Sequence, residues 1–365
     1  MIITSDNNYK GLDEWLEGKR KVFLVCDSSI KFLESFSRKL EEVKVPLICF
    51  SGFQPNPLYE SVVEGVRLFR DEQCDSIIAV GGGSAIDVAK CIKASAFMDG
   101  NGEDGGYLSQ EIKANDIPFL AMPTTAGTGS EATRYAVVYY EGKKQSVTSE
   151  SFIPETVLMD SSVLKTLPLY QKKATMCDAI CHAIESFWSV NSTEESKEYS
   201  REAILGILEN MNGYLANTEE GNAGMLLAAH MAGKAINITQ TTAGHAMCYK
   251  ITSIFGCAHG HAAILCDRVL YSWMIKNTDR CSDPRGKTYL KKTLDEIGQA
   301  LGCEDAQTGA AKLEEIFNML GLSIPEATIE QFEELKKSVN PVRLKNHPIA
   351  LDEDTIDYLY HIILR

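Results

Sequence analysis

Short apolar runs recur through the first third of the chain, each followed by an amphipathic stretch of helical length. This alternation constrains the fold more than any other feature. The runs are KVFLVC at 21–26, VPLICF at 45–50, DSIIAV at 75–80 and IPFLAM at 117–122, and helical periods fill 29–43, 58–72 and 84–98. Apolar runs with little polar alternation belong to strands covered on both faces, and strands joined through helices make βαβ units on a parallel sheet. The segment 99–116, rich in Gly, Asp and Asn, reads as a surface loop, and RYAVVYY at 134–140 with the run after Gly142-Lys143-Lys144 reads as a hairpin. Beyond about residue 161 strand-like runs cease. Helical periods fill 170–188, 194–217, 221–240, 261–275, 289–301, 310–320, 328–338 and 352–363. A chain of 365 residues has room for two domains, and the change of texture places them at 1–160 (α/β) and 161–365 (all helical).

Lys and Arg number 36 against 50 Asp and Glu, a formal charge of −14, so neither nucleic acid nor an anionic membrane surface is an expected partner. No apolar run approaches the roughly 20 residues of a membrane span. The start, Met1-Ile2-Ile3-Thr4-Ser5-Asp6, has no basic segment followed by an apolar one, and the 11 cysteines form no C-x-x-C pair. A cytoplasmic protein with free thiols is the expectation.

Gly81-Gly82-Gly83-Ser84 directly follows the third run and opens a helix. Glycines let main-chain N–H groups approach an anion, and a helix N-terminus adds partial positive charge, so a pyrophosphate is a natural guest. The loop is neither G-x-G-x-x-G, since Ile86 takes the third glycine position, nor a Walker A loop. The alternative is a tight turn with Ser84 and Asp87 as a capping box. A second small-residue loop, Pro123-Thr124-Thr125-Ala126-Gly127-Thr128-Gly129-Ser130, follows the fourth run. Ligands of open α/β sheets gather at such strand ends. Asp27 closes the first run; its carboxylate could bind ribose hydroxyls and repel a 2′-phosphate, favouring NAD(H) over NADP(H), or it could cap the following helix.

The chain has seven histidines, four of them between 230 and 261. Asp178 and His182 stand at i, i+4 on one helix face, as two ligands of one divalent ion would, or as a surface hydrogen bond would. With His245 and His259 they make three imidazoles and one carboxylate, a set suited to Fe²⁺ or Zn²⁺. His261 could orient a ligand, His230 reads as a core or interface residue, and His347 and His361 read as exposed. Cys177, Cys181, Cys248 and Cys257 flank the proposed ligands; as thiolates they would compete for a soft metal, and the preferred reading is small buried hydrophobes.

GGGSAIDVAK at 81–90, PTTAGTGSEAT at 123–133, DAICHAIES at 178–186 and the pair His245/His259 resemble the iron-containing (group III) alcohol dehydrogenases along essentially the whole chain. The resemblance implies an N-terminal dinucleotide-binding α/β domain and a helical metal- and substrate-binding domain, in a metal-dependent NAD(P)H-linked alcohol dehydrogenase or aldehyde reductase that forms a homodimer. It implies Asp178, His182, His245 and His259 as ligands of one divalent metal, Fe²⁺ before Zn²⁺. It also implies Gly82, Gly83, Ser84, Thr124, Thr125 and Thr128, completed by Asp27, Asn56 and Lys144, around the cofactor. Many members carry another active-site histidine four residues after the third ligand; here Tyr249 stands there, followed by Lys250, and these two are the catalytic candidates. A tyrosine can donate a hydrogen bond but does not shuttle protons near neutral pH as histidine does. The stretch 236–262 and NPVRLKNHP at 340–348 look like the branch that reduces phosphonoacetaldehyde to 2-hydroxyethylphosphonate. A phosphonate needs fixed cations in so acidic a chain, and Lys250, Arg343, Lys345 and Arg134 are the candidates. The competing readings are a medium-chain alcohol or aldehyde dehydrogenase without anion preference, a dehydroquinate synthase-like lyase, and a non-catalytic nucleotide-binding protein.

Overall fold

The computed structural model describes residues 1–5, 9–339 and 341–365. Asp6 in the opening segment and Asn340 in the NPVRLKNHP stretch lie outside the described residues. The chain divides into two compact units, Met1–Leu167 and Pro168–Arg365. The 3₁₀ turn Ser161–Thr166, capped by Asp160 through Ser162 N at 2.9 Å, stays with the first unit, so the division falls after the turn rather than at Asp160.

The first unit has strands β1 (Ile2–Thr4), β2 (Val22–Cys26), β3 (Leu47–Phe50), β4 (Ser76–Gly81), β5 (Phe119–Pro123) and β8 (Thr156–Met159) in one parallel sheet of order β1-β8-β5-β4-β2-β3. Strands β6 (Tyr135–Tyr140) and β7 (Lys143–Thr148) form the expected antiparallel hairpin. Helices α1 (Lys10–Leu16), α2 (Glu34–Glu42), α3 (Tyr59–Asp71) and α4 (Gly83–Ser95) complete the unit. Every residue of β2, β4, β5 and β8 is buried, which is why these runs carry no polar alternation. Each large apolar side chain so buried is worth about 1.5–3 kcal/mol.

Two strands escape a reading by pattern. Both β1 and β8 are three or four residues long, too short for periodicity to speak. The helix expected over 29–43 is two pieces, a 3₁₀ turn Ser28–Phe32 and α2. They meet at Leu33, which turns into the core while Phe32 stays exposed.

The second unit is helical: α5 (Leu169–Trp188), α6 (Glu194–Leu215), α7 (Glu219–Thr239), α8 (Ala243–Phe255), α9 (His259–Lys276), α10 (Lys287–Ala300), α11 (Ala306–Leu320), α12 (Ile329–Ser338), α13 (Pro341–Leu344) and α14 (Glu353–Ile363). From Met176 to Trp188 every residue of α5 is buried, polar ones included, so this helix runs through the middle of its unit against α6, α7 and α9. Helix α8 occupies part of the gap between the helical periods read at 221–240 and 261–275. Its first six residues are all buried, so no polar face marks it, and it ends at Gly256 in the left-handed conformation (φ 66°). No helix among the described residues is long and apolar enough to cross a membrane.

Candidate functional site

The parallel order places β3 and β4 on opposite sides of β2, so the chain reverses direction across the sheet there. Crevices at such reversals, at carboxyl strand ends, are where α/β sheets take ligands. Gly81 pairs with Pro123 in the ladder and Thr124 N donates to Gly81 O at 3.0 Å, so the two small-residue loops start side by side. A Cβ on Gly82 would lie 3.4 Å from Thr125, and one on Gly83 only 3.1 Å from Thr128. Helix α4 starts at Gly83 with no side chain capping its first N–H groups. The Ser84–Asp87 capping box does not form. Asp87 instead accepts from Ser130 Oγ at 2.7 Å and Val137 N at 3.0 Å, tying α4 to the second loop and the hairpin. Asp27 does cap its 3₁₀ turn, accepting from Ser29 N at 2.7 Å, while its other oxygen lies 3.5 Å from where a Gly81 Cβ would be. The capping alternative is the one the structure shows for Asp27. Asn56 is exposed in the left-handed region (φ 57°), and Lys144 faces Tyr139 across the hairpin.

In the helical unit Asp178 and His182 project from α5, His245 from the first turn of α8 and His259 from the first residue of α9. The Nε2 atoms of His245, His259 and His182 lie 3.5, 3.8 and 4.0 Å from one oxygen, Asp178 Oδ1. The rings of His182 and His245 stack at 4.5 Å. Ligands about 2.1 Å from a tetrahedral ion stand about 3.4 Å from one another, so these separations suit one metal ion. Asp178 Oδ1 and His245 Nε2 are buried without hydrogen-bond partners, the condition of donors meant for a cation. Burial alone would raise the Asp178 carboxyl; the three imidazoles outweigh it and hold it well below the usual carboxylate range. The side chains of Asp178, His182 and His245 are almost wholly buried, whereas that of His259 is 36% exposed, so the cluster is open on one edge. Gly260 makes the approach of α9 possible: a Cβ there would lie 2.0 Å from Ala174 O and 2.6 Å from Asp178 Cβ.

Sequence reasoning missed Glu185, one turn beyond His182 and wholly buried. Its carboxylate accepts from His245 Nδ1 at 2.7 Å and His245 N at 2.8 Å. Burial raises this carboxyl, but its contact with His245 and the hydrogen bonds from His245 and Thr242 outweigh that and hold it below the usual carboxylate range. Its sequence signal was the i, i+7 spacing from Asp178 in DAICHAIE, which repeats the face that carries the ligands.

Tyr249 stacks on His259 (5.2 Å between centroids), and the Arg343 guanidinium lies over the Tyr249 ring at 5.5 Å from its centroid. Burial drives the Tyr249 phenol far above its ordinary range despite the Arg343 charge, so it stays protonated. Arg343 also donates to Thr241 Oγ1. The other proposed cations are placed differently. Lys250 pairs with Glu334 at 2.5 Å, Arg134 pairs with Glu150 at 2.5 Å in the first unit, and Lys345 is exposed. His261 is engaged by Tyr170 OH at 3.1 Å and Ser323 O at 2.8 Å, so it anchors the start of α9 rather than orienting a ligand ring directly. His347, expected at the surface, is buried edge-on against Trp188, and burial pushes its imidazole down to about 4. His361 is exposed and His230 buried, as expected. Cys177, Cys181 and Cys248 are buried; Cys257 is only half-buried, and Cys248 Sγ lies 3.7 Å from His259 Nδ1.

A parallel-sheet unit with a glycine loop, followed by a helical unit with a three-histidine, one-carboxylate cluster, defines a class of two-domain oxidoreductases. The family model for the iron-containing alcohol dehydrogenases matches residues 1–161, and that for the C-terminal part of the Fe-containing alcohol dehydrogenase family matches residues 172–361; the chain belongs to this family. It is 31% identical over 315 residues to the phosphonoacetaldehyde reductase of Streptomyces viridochromogenes, covering 82% of this chain and 79% of the relative. It is 30% identical to the 1,3-propanediol dehydrogenase of Klebsiella pneumoniae over 73% of this chain and 72% of that one. The sulfoacetaldehyde reductase of Bifidobacterium kashiwanohense, solved in complex with NAD⁺, superposes with a TM-score of 0.87 at 26% identity, over 100% of this chain and 96% of that one.

Proposed function

We propose that this chain is an NAD(H)-linked, metal-dependent reductase of a small aldehyde carrying an anionic head group, and that phosphonoacetaldehyde, reduced to 2-hydroxyethylphosphonate, is its substrate. The observation that carries the metal reading is the convergence of three Nε2 atoms on Asp178 Oδ1 with buried, unpartnered donor atoms. The anionic substrate rests on Arg343, which has no ion pair among the described residues and lies one aromatic ring away from His259, and on the 31% identity to a phosphonoacetaldehyde reductase.

The residues divide the work. Asp178, His182, His245 and His259 would hold Fe²⁺ or Zn²⁺. The N–H groups at the start of α4, with Gly82 and Gly83 leaving room and Thr124, Thr125 and Thr128 opposite, would hold the pyrophosphate of the cofactor. Asp27 places a negative charge beside that loop, which favours a ribose with free hydroxyls over a 2′-phosphate. A bound metal supplies Lewis acidity toward the carbonyl oxygen and the nicotinamide supplies the hydride. Tyr249, protonated throughout the neutral range, offers a hydrogen-bond donor and an aromatic wall but no proton shuttle. Arg343 fixes the anionic end of the substrate by a charge-assisted contact, so the aldehyde end is held in one orientation.

A steady-state screen tests the reading. NADH oxidation with phosphonoacetaldehyde at a kcat/KM at least about 10-fold above that with butyraldehyde supports it, a ratio worth about 1.4 kcal/mol. Equal values for the two aldehydes would replace it with a general aldehyde reductase, and turnover with NADPH only would refute the role given to Asp27.

A further inference from the structure

His245 belongs to two groups of potential donors at once. Its Nε2 faces Asp178 and its Nδ1 faces Glu185; it forms one trio with Asp178 and His259 and another with Glu185 and Asp267, and each trio brings its donor atoms within 4.8 Å of one another. We propose that only the first trio is a metal site and that Glu185 is the positioning residue of that site, holding His245 in the tautomer and orientation that metal binding requires. This rests on the metal reading above.

The difference lies in what already occupies the two carboxylates. Asp178 Oδ1 has no hydrogen-bond partner. Glu185 is saturated: Oε1 takes the Nδ1–H of His245 at 2.7 Å and the main-chain N–H of His245 at 2.8 Å, while Oε2 takes Thr242 Oγ1–H at 2.7 Å and the main-chain N–H of Thr242. A carboxylate with four donors on it has no lone pair facing a second cation. The hydrogen bond to Nδ1 puts the ring's proton on that nitrogen and leaves the Nε2 lone pair aimed at Asp178. Main-chain bonds from two residues at the head of α8 fix the same carboxylate to the helix that carries His245, so ring and backbone are held by one group. Thr242 Oγ1 in turn accepts from Trp188 Nε1 at 2.8 Å, which fixes the hydroxyl's own proton on Glu185. The helices can close on this arrangement because residue 244 is glycine: a Cβ there would lie 1.7 Å from Asp267 Oδ1 and 2.5 Å from Glu185 Oε1.

The test is Co²⁺ binding to the apo chain, read by competition with a chelator and by the ligand-field absorption of bound Co²⁺, for wild type, Glu185→Gln and Glu185→Ala. Wild type should bind one equivalent. Glu185→Ala should bind it about 10- to 100-fold more weakly with an altered absorption band, the usual loss when a hydrogen-bonding partner of a metal-bound imidazole is removed. Glu185→Gln keeps the size and one acceptor oxygen for Nδ1–H, and it should recover part of the affinity and the wild-type band shape. Far-UV circular dichroism of each apo variant separates misfolding from lost affinity. If Glu185→Ala fails to fold, Glu185→Gln against wild type decides by itself: an affinity equal to that of wild type overturns the proposal. Two equivalents of Co²⁺ bound by wild type, with the second lost in Glu185→Ala, would also overturn it. A wild type that binds no Co²⁺, or binds it unchanged in Asp178→Asn, would instead remove the metal reading itself.

Discussion

The two units make their candidate sites from opposite materials. In the sheet unit the loops at Gly82–Ser84 and Thr124–Thr128 offer main-chain N–H groups, small hydroxyls and empty space. In the helical unit the site is four ionisable side chains, three of them almost wholly buried, on three helices. A site made of backbone should be broken by adding atoms, because its guest needs the space that missing side chains leave. A site made of buried donors should be broken by removing one, because each remaining donor is then left without its partner. The contrast also explains why α5 carries Asp178, His182 and Glu185 in a segment with no exposed face: the charges lie inside because a cation and hydrogen bonds can meet them there.

The largest expected effect comes from subtraction in the helical unit. His245→Ala should lose the metal and lower turnover by about 10³-fold or more, since Lewis-acid stabilisation is worth several kcal/mol. NADH binding, read by fluorescence, should stay within about twofold of wild type. Loss of both would mean that the substitution disrupts more than the metal cluster. Addition in the sheet unit is the counterpart: Gly83→Val drives a branched side chain toward Thr128 and should weaken NADH by about 10-fold or more, as forced repacking costs about 1–3 kcal/mol. Metal content measured on the same sample should stay at wild-type stoichiometry.

Arg343→Gln sharpens the comparison within the helical unit. It should raise KM for phosphonoacetaldehyde about 10- to 100-fold, the value of a hydrogen bond to a charged group, and leave KM for butyraldehyde unchanged. An equal rise for both aldehydes would make Arg343 a structural support for Tyr249 rather than an anion site.

The smallest effect concerns thiols of the sheet unit, which the metal cannot protect. Burial first, then Cys49 and Asp27, push Cys26 up to about 12, and burial pushes Cys74 up to about 11. Unfolded thiols ionise near 9, so above that pH the unfolded chain releases protons that the folded chain keeps. Stability from these groups is intact below pH 9 and declines as pH rises toward 11–12. Urea midpoints at pH 8 and pH 10 should show the lower value at pH 10, and Cys26→Ala should reduce the difference; identical midpoints would contradict it.

Much of this was legible in the residues, and the exceptions share a cause. The runs that became β2, β4 and β5 were readable because strands buried on both faces are uniformly apolar. The same uniformity hid α8, whose buried first turns have no polar face to set a period. The candidate cluster is legible because the i, i+4 spacing of Asp178 and His182 is a local property of a helix and because imidazoles as scarce as His245 and His259 stand out. Glu185 lies outside the pattern because nothing in the sequence separates it from a solvated glutamate; only its burial and the hydrogen bonds from the head of α8 do so. His347 failed in the same direction, since nearness to the chain end says nothing about Trp188 covering it. Tertiary contact overrides both readings, and it is what a linear pattern contains least of.

The central claim is one metal ion held by Asp178, His182, His245 and His259, with Glu185 outside the coordination sphere. A crystal of the iron-loaded chain, with anomalous difference maps collected above and below the iron edge, tests it most directly. The account predicts a single strong peak within about 2.0–2.3 Å of the carboxylate of Asp178 and the Nε2 atoms of the three histidines, with Glu185 still on His245 Nδ1. A peak between Glu185 and Asp267, or none beside Asp178 in a fully loaded and active sample, would contradict it.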